Sequence, residues 1–369
     1  MKKEEINQGL EELNKMVGWN KLLSLTNPEN LAEERKKVLE NPSYNPYFVY
    51  SAFSPDKDIE QQIPILNDKI GRYMEDLEKD VNLGLLEQFQ LSNRYLRVRD
   101  TSDFQDASAA IFSRPDQHDV EWAQKNYKTK LPEESKTIAP EMVRKFMLLY
   151  MNGIPQIERE YEILIDPNRA NIMVKEEEGK ILLPVRDVSW EKLAGDIVHE
   201  IGTHVAQYEI GCKQPLSAFW LGFPFRAFTS EGMAQYNEDL VVPDYTPRTK
   251  TRAGNIIAMV MAEENSFSEI NRELLVAGFI PEEAFKCTLM AKRGFSDTKK
   301  KGTNFNRNLY IRGLNMVREY LENGGEEWIL YTGRISLEYA DRIKELKGLY
   351  RAPETLPKRL RAMANSIPE

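Results

Sequence analysis

The chain has little histidine: three residues in 369, at positions 118, 199 and 204. Cysteine is nearly as scarce, with only Cys212 and Cys287, and two thiols at this length make neither a disulfide framework nor a paired metal motif. A reducing compartment, cytoplasmic by default, is the expectation. Long apolar runs are missing as well. "FMLLYM" and "IIAMVM" fall far short of the roughly 18 residues a spanning helix needs. The charged, amphipathic start "MKKEEINQGLEELNKM" has no signal-peptide core, so no membrane association is expected. Nor is there a surplus of positive charge. Lys and Arg number 50 against 58 Asp and Glu, for a net −8, which argues against nucleic acid as a partner.

What is present is a globular composition, 41% hydrophobic and 10% aromatic, in a chain long enough to bury a sizeable core. Residues 1–139 read as amphipathic helices over "EEINQGLEELNKMV", "NLAEERKKVLE", "DIEQQIPILNDKIGRYMEDLEKDVNLGLLEQF" and "PDQHDVEWAQKNY". An irregular connection, "NPSYNPYFVYSAFSPD", separates the second from the third. "APEMVRKFMLLYMNGI" is a further helix, with Pro140 suited to its first turn. The pattern then shortens to "YEILIDP", "NIMVKEE" and "KILLPVRD", divided by turns at Asp166-Pro167-Asn168 and Glu178-Gly179. These predict a small antiparallel sheet. Pro184 removes a ladder donor and marks the third run as an edge strand, where an extended substrate could pair. A helix over "SWEKLAGDIVHEIGTHVAQYEIG" follows, with Ser189 as N-cap and Glu191 in its first turn. The expected fold is α+β and predominantly helical, with a helical N-terminal portion (1–139) and a catalytic region (140–369) packed as one unit.

Two of the three histidines, His199 and His204, share that last helix, and Glu200 directly follows the first. In H-E-x-x-H the histidines stand about 40° apart around the helix, and both reach one zinc. Here they are i and i+5, about 140° apart on an ideal α-helix. A regular helix therefore turns one of them away, leaving two polar residues on different faces. A single-turn π-bulge would absorb the extra residue and restore convergence. Gly202, tolerant of unusual backbone angles, lies inside the segment, so a distortion is predicted between Glu200 and His204.

A catalytic zinc takes three protein ligands and one open position. "FTSEGMAQYNEDLV" predicts a helix beginning near Thr229 or Ser230 and carrying Glu231, which would complete a set of two imidazoles and one carboxylate. A carboxylate so close to a helix start also has an ordinary reading as a dipole-stabilised acid. Asp196 could orient an imidazole, whereas His118, on a charged helix, reads as a surface residue. Between the two helices, Phe219, Trp220, Phe223, Phe225 and Phe228 form either a wall for an apolar side chain or packing between the ligand-bearing helices.

"HEIGTH" followed by "SEGMAQY" resembles the family of tyrosine carboxypeptidases that includes the microtubule-associated enzyme acting on the C-terminal tyrosine of α-tubulin, together with bacterial relatives known by a QEGLA motif. "YNPYFVY" (44–50) is similar to a segment upstream in that family, and "GTNFNRNLYIRGL" (302–314) to one downstream. The resemblance implies a gluzincin-like zinc peptidase with ligands His199, His204 and Glu231 and general base Glu200. Ser230 and Met233 depart from the family motif without moving the glutamate. Asn306-Arg307-Asn308 replaces a T-K-D triplet and loses a carboxylate, which bears on specificity if that segment meets substrate.

The chemistry so implied is hydrolysis of the bond to a C-terminal residue, tyrosine or another aromatic, in a peptide or protein. Zinc lowers the pKa of bound water from about 15.7 toward about 7 and polarises the scissile carbonyl, and Glu200 moves the proton. The substrate carboxylate and the oxyanion call for a cation and a donor. Residues 290–312 carry seven basic side chains against Asp297 alone, a local +6. Within this stretch Arg307 and Arg312, flanking Tyr310, are the candidates for substrate binding, with Tyr310 as a further catalytic group. Rival readings are a dipeptidyl- or aminopeptidase of the same spacing and a non-catalytic metal-binding regulatory protein. The intact Glu200 speaks against the latter, since a structural metal needs no base.

Overall fold

The computed structural model describes residues 2–53, 57–132, 137–167 and 172–366. Reading along the chain divides it once, at residue 139. Grouping by contact divides it after Leu131, Tyr245 and Ile311, into Met1–Leu131 with Thr246–Ile311 and Pro132–Tyr245 with Arg312–Glu369.

The first unit is helical wherever an apolar stripe recurs at helical spacing. Lys2–Val17 buries Ile6, Leu10, Leu13 and Val17 on one face. The long pattern over 58–89 forms two helices, Lys57–Tyr73 and Asp76–Arg97. Asp76, at φ 49°, breaks the run in the left-handed region. Trp19–Leu25 and Phe104–Phe112 are helices the periodicity did not reveal; both are too short for a stripe to stand out. The "YNPYFVY" connection is irregular and packed. Phe48 enters a cluster with Val38, Phe267, Phe285 and Leu289, while the Glu34 carboxylate accepts from the Tyr44 hydroxyl (3.0 Å) and the Tyr47 amide (2.8 Å).

The "GTNFNRN" segment is held by Asn304, which donates to the Tyr95 hydroxyl (2.7 Å) and accepts from the Ser108 hydroxyl (3.0 Å). Asn306 and Asn308 are buried, and Asn308 donates to the Phe112 carbonyl at 3.2 Å. The two asparagines at the family's T-K-D positions thus lie inside the first unit.

The second unit holds the three β-prone runs as one sheet in the order Glu162–Asp166, Lys180–Pro184, Met173–Lys175. The expected antiparallel sheet is mixed. Lys180–Pro184 runs parallel to Glu162–Asp166 and antiparallel to Met173–Lys175. It is also the central strand, not an edge. Its antiparallel partner ends with Met173 opposite Leu182, two residues before Pro184, so the missing donor costs that ladder nothing. The edge strand beside the histidine motif is Met173–Lys175. Of the turn Asp166-Pro167-Asn168, Asn168 lies outside the described residues. Gly179, at φ 63°, makes the other turn. No helix of the described residues is long and apolar enough to cross a membrane.

The sheet buries Ile163, Ile181 and Leu183. Next along the chain, helix Trp190–His199 is capped by the Ser189 hydroxyl, which accepts from the Lys192 amide, and buries Leu193, Ile197 and Val198. The helix Arg226–Val241 packs along it. That second helix begins three residues before Thr229, because Phe225 at φ 52° turns the chain just ahead of Arg226.

Candidate metal centre

After His199 the helix changes character: Glu200–Val205 is a π-helical turn, and Ala206–Gly211 is α-helical again. Closing i to i+5, such a turn stacks the fifth residue above the first. The His199 and His204 rings accordingly meet with centroids 4.9 Å apart at 79°. The wide turn leaves a carbonyl to satisfy, and the Thr203 hydroxyl donates to Val198 O, five residues back, at 2.9 Å. Asn237 on the facing helix donates to that same hydroxyl oxygen at 2.9 Å. Gly202 serves by its size and not by an unusual φ. A Cβ there would fall 2.5 Å from the Tyr150 hydroxyl oxygen.

Each imidazole is pinned at Nδ1. His199 Nδ1 lies 2.7 Å from Glu238 Oε1, and a carboxylate partner makes that nitrogen the donor. His204 Nδ1 lies 3.1 Å from Ser230 Oγ. Ser230 commits its own proton to Gln207 Oε1 at 2.6 Å, so it accepts from His204. Both Nε2 lone pairs are thereby left for a ligand. They face Glu231, whose oxygens stand 3.5 Å from His199 Nε2 and 3.7 Å from His204 Nε2. These distances are long for hydrogen bonds. They match the spacing of roughly 3.4 Å between ligand atoms placed about 2.0–2.1 Å from a common tetrahedral ion. Glu200 lies against the same pair: its carboxylate and the two imidazoles offer ligand atoms all within 4.8 Å of one another. The residues therefore fit a divalent ion held by His199, His204 and Glu231, with Glu200 beside it.

The surrounding charges and burial act differently on the three side chains. Burial works against a cation on His199, but Glu238 and Glu231 outweigh it and hold its pKa well above the ordinary value. Burial takes His204 down to about 4 and pushes Glu200 up to about 8, the latter helped by the charge of Glu231. Farther out, Arg334 pairs with Glu176 at 2.7 Å. A groove of about 160 Å³ beside His199, Glu200 and Glu238 is also lined by Leu183, Pro184 and Arg186.

Sequence reasoning chose the wrong acid for His199. Asp196 pairs with Lys192 at 2.7 Å, and Glu238 holds the ring. Glu238 follows Glu231 by seven residues, two helical turns on one face, which is the signal that could have found it. Phe219 and Phe223 are buried against each other at 5.1 Å, as packing between elements requires. His118 is exposed. Arg307 and Tyr310 belong to the first unit, where the Arg307 guanidinium lies 4.9 Å over the Tyr310 ring. Arg312 is exposed and begins the second stretch of the second unit.

A sequence model described as microtubule-associated tyrosine carboxypeptidase matches residues 40–368. Curated relatives include the MATCAP2 proteins of Mus musculus and Homo sapiens, whose names place them with the tyrosine carboxypeptidases. Identity is 27% in both, over 159 and 161 residues, or 42% of this chain. The match spans 30% of each relative's length.

Proposed function

This chain belongs to the microtubule-associated tyrosine carboxypeptidase family, and from that premise we propose that it is a zinc-dependent carboxypeptidase acting on the C-terminal residue of a peptide or protein. The observation that carries the proposal is the double anchoring of His199 and His204 at Nδ1, with both Nε2 atoms turned toward Glu231. His199, His204 and Glu231 would hold the ion. When bound, zinc supplies Lewis-acid activation of water and of the scissile carbonyl.

The chain's own residues do the rest. Glu238 and Ser230 keep the two rings in one tautomer and orientation, so neither must reorganise during turnover. Glu200 takes a proton at its carboxylate from the attacking water and returns it to the nitrogen of the departing amino acid as the C–N bond breaks. Arg312, chosen from the local excess of positive charge, lies in the same unit and is retained for substrate binding; Arg307 and Tyr310 lie in the first unit.

Incubating the protein with a mixed peptide pool and reading products by mass tests the proposal. Loss of one residue from free C-termini, none from amidated copies, and a loss of about 10²–10⁴ in rate for Glu200→Gln are expected. Cleavage of amidated peptides at their N-termini would select the aminopeptidase reading instead.

A further inference from the structure

A carboxypeptidase must distinguish a free terminal carboxylate from an internal peptide bond, and the second unit carries two neighbouring arginines, Arg334 buried and Arg226 part-buried, of which Arg226 acts on Glu231 and His204. Arg334 is spoken for. It pairs with Glu176 at 2.7 Å, donates to Trp220 O at 3.1 Å and lies 4.7 Å over the Tyr208 ring. Arg226 is different. Among the described residues its guanidinium makes no hydrogen bond and no ion pair, although it lies close enough to Glu231 and His204 for their charges to interact.

Arg226 is nevertheless held in place. Its stem crosses Gly222, where a Cβ would fall 2.2 Å from Arg226 Cδ and 2.3 Å from Nε, and Gly222 sits at φ 110°. Phe225, the preceding residue, is also in the left-handed region at φ 52°. Phe225 thus accepts a strained backbone, and Gly222 leaves the room, ahead of a side chain that satisfies no partner, a pattern that belongs to functional positions. The surroundings also oppose a positive charge. Arg226 opens the helix Arg226–Val241, at the positive end of its dipole, and burial followed by Arg334 draws its pKa down to about 9. A fixed guanidinium that interacts with the charges of Glu176 and Glu231 but pairs with neither is open to an anionic ligand.

We propose that Arg226 anchors the free α-carboxylate of the residue being released, and so sets the exopeptidase specificity of the site. The proposal rests on the reading of His199, His204 and Glu231 as the reaction centre. Arg186, exposed in the groove beside His199, is the competing cation.

Calorimetric titration of the zinc-loaded chain with N-acetylphenylalanine and with its carboxamide reads the anchor without turnover. The acid should bind at least about tenfold tighter than the amide. Arg226→Gln should bring that ratio close to unity, and Arg226→Lys, which keeps the charge but loses the planar fork, should leave it in between. If the glutamine variant lacks a native near-ultraviolet spectrum, the lysine variant decides. An acid preference that survives at Arg226→Gln, or that vanishes at Arg186→Gln instead, overturns the proposal, as does a wild-type protein with no preference. Acid preference lost at Arg226→Gln, in a protein that hydrolyses no peptide, would uphold the anchor and remove the peptidase reading.

Discussion

Gly232 packs backbone to backbone on Gly313: a Cβ on Gly232 would fall 2.2 Å from the Gly313 carbonyl oxygen, and one on Gly313 would fall 2.2 Å from Phe228 O. Glu231 is thus followed by a residue whose smallness fixes how closely its helix lies against Asn308–Glu322. Gly232→Ala should cost about 1–3 kcal/mol by overpacking and, by displacing Glu231, weaken zinc binding as well. Urea unfolding and zinc competition check the two parts separately. Unchanged values in both would show that the contact does not position the carboxylate.

Glu238 should matter to metal affinity although it is no ligand. Removing the carboxylate that holds His199 Nδ1 frees the ring to rotate and to change tautomer, so Glu238→Ala should lose about 10–100-fold in zinc affinity. Competition with a chromogenic chelator measures this. Ser230→Ala, which removes a neutral acceptor from His204, should lose less.

The two histidines were legible because their spacing is wrong for an α-helix. An i, i+5 pair with a glutamate after the first makes sense for a metal only if the turn widens, and Glu200–Val205 is widened. The position of Glu231 could likewise be read, since "FTSEGMAQYNEDLV" reads as a helix a loop's length after His204. What could not be read depended on partners distant in sequence. Strand runs of three to five residues do not encode whether a neighbour runs parallel. Neither the choice of Glu238 over Asp196 nor the space that Tyr150 leaves at Gly202 is written locally. The start of the ligand helix at Arg226 was hidden by the aromatic density of "FWLGFPFRAF", which masks helical periodicity.

The two thiols should differ in reactivity. Cys287 is buried and its pKa is pushed up to about 12, burial being the chief cause, whereas Cys212 is exposed. Iodoacetamide at about pH 8 should label Cys212 alone in the native protein and both cysteines in denaturant. Intact-mass analysis counts the adducts, and native labelling of Cys287 would contradict its burial.

Lys292 predicts a pH dependence of stability. Its ammonium is buried and donates to the carbonyls of Ala262 (3.0 Å), Lys300 (2.8 Å) and Gly302 (3.1 Å). Burial draws its pKa to about 7, against about 10.4 for a lysine in the unfolded chain. Between those values the unfolded state binds the extra proton, so this group's contribution to stability rises with pH across the window and is least favourable below about 7. Urea unfolding from about pH 6 to about pH 9 should show that slope for the wild type and lose it in Lys292→Met. A wild type whose slope matches the variant's would mean that the three carbonyls keep the ammonium charged.

Zinc content per chain, measured by native mass spectrometry on the wild type, His204→Ala and Glu231→Ala, tests the convergence of His199, His204 and Glu231 most directly. One ion on the wild type, lost or bound far more weakly in both variants, is the expected result. A wild type that carries no zinc and is not stabilised by adding it, or variants that retain the ion with undiminished affinity, would contradict it.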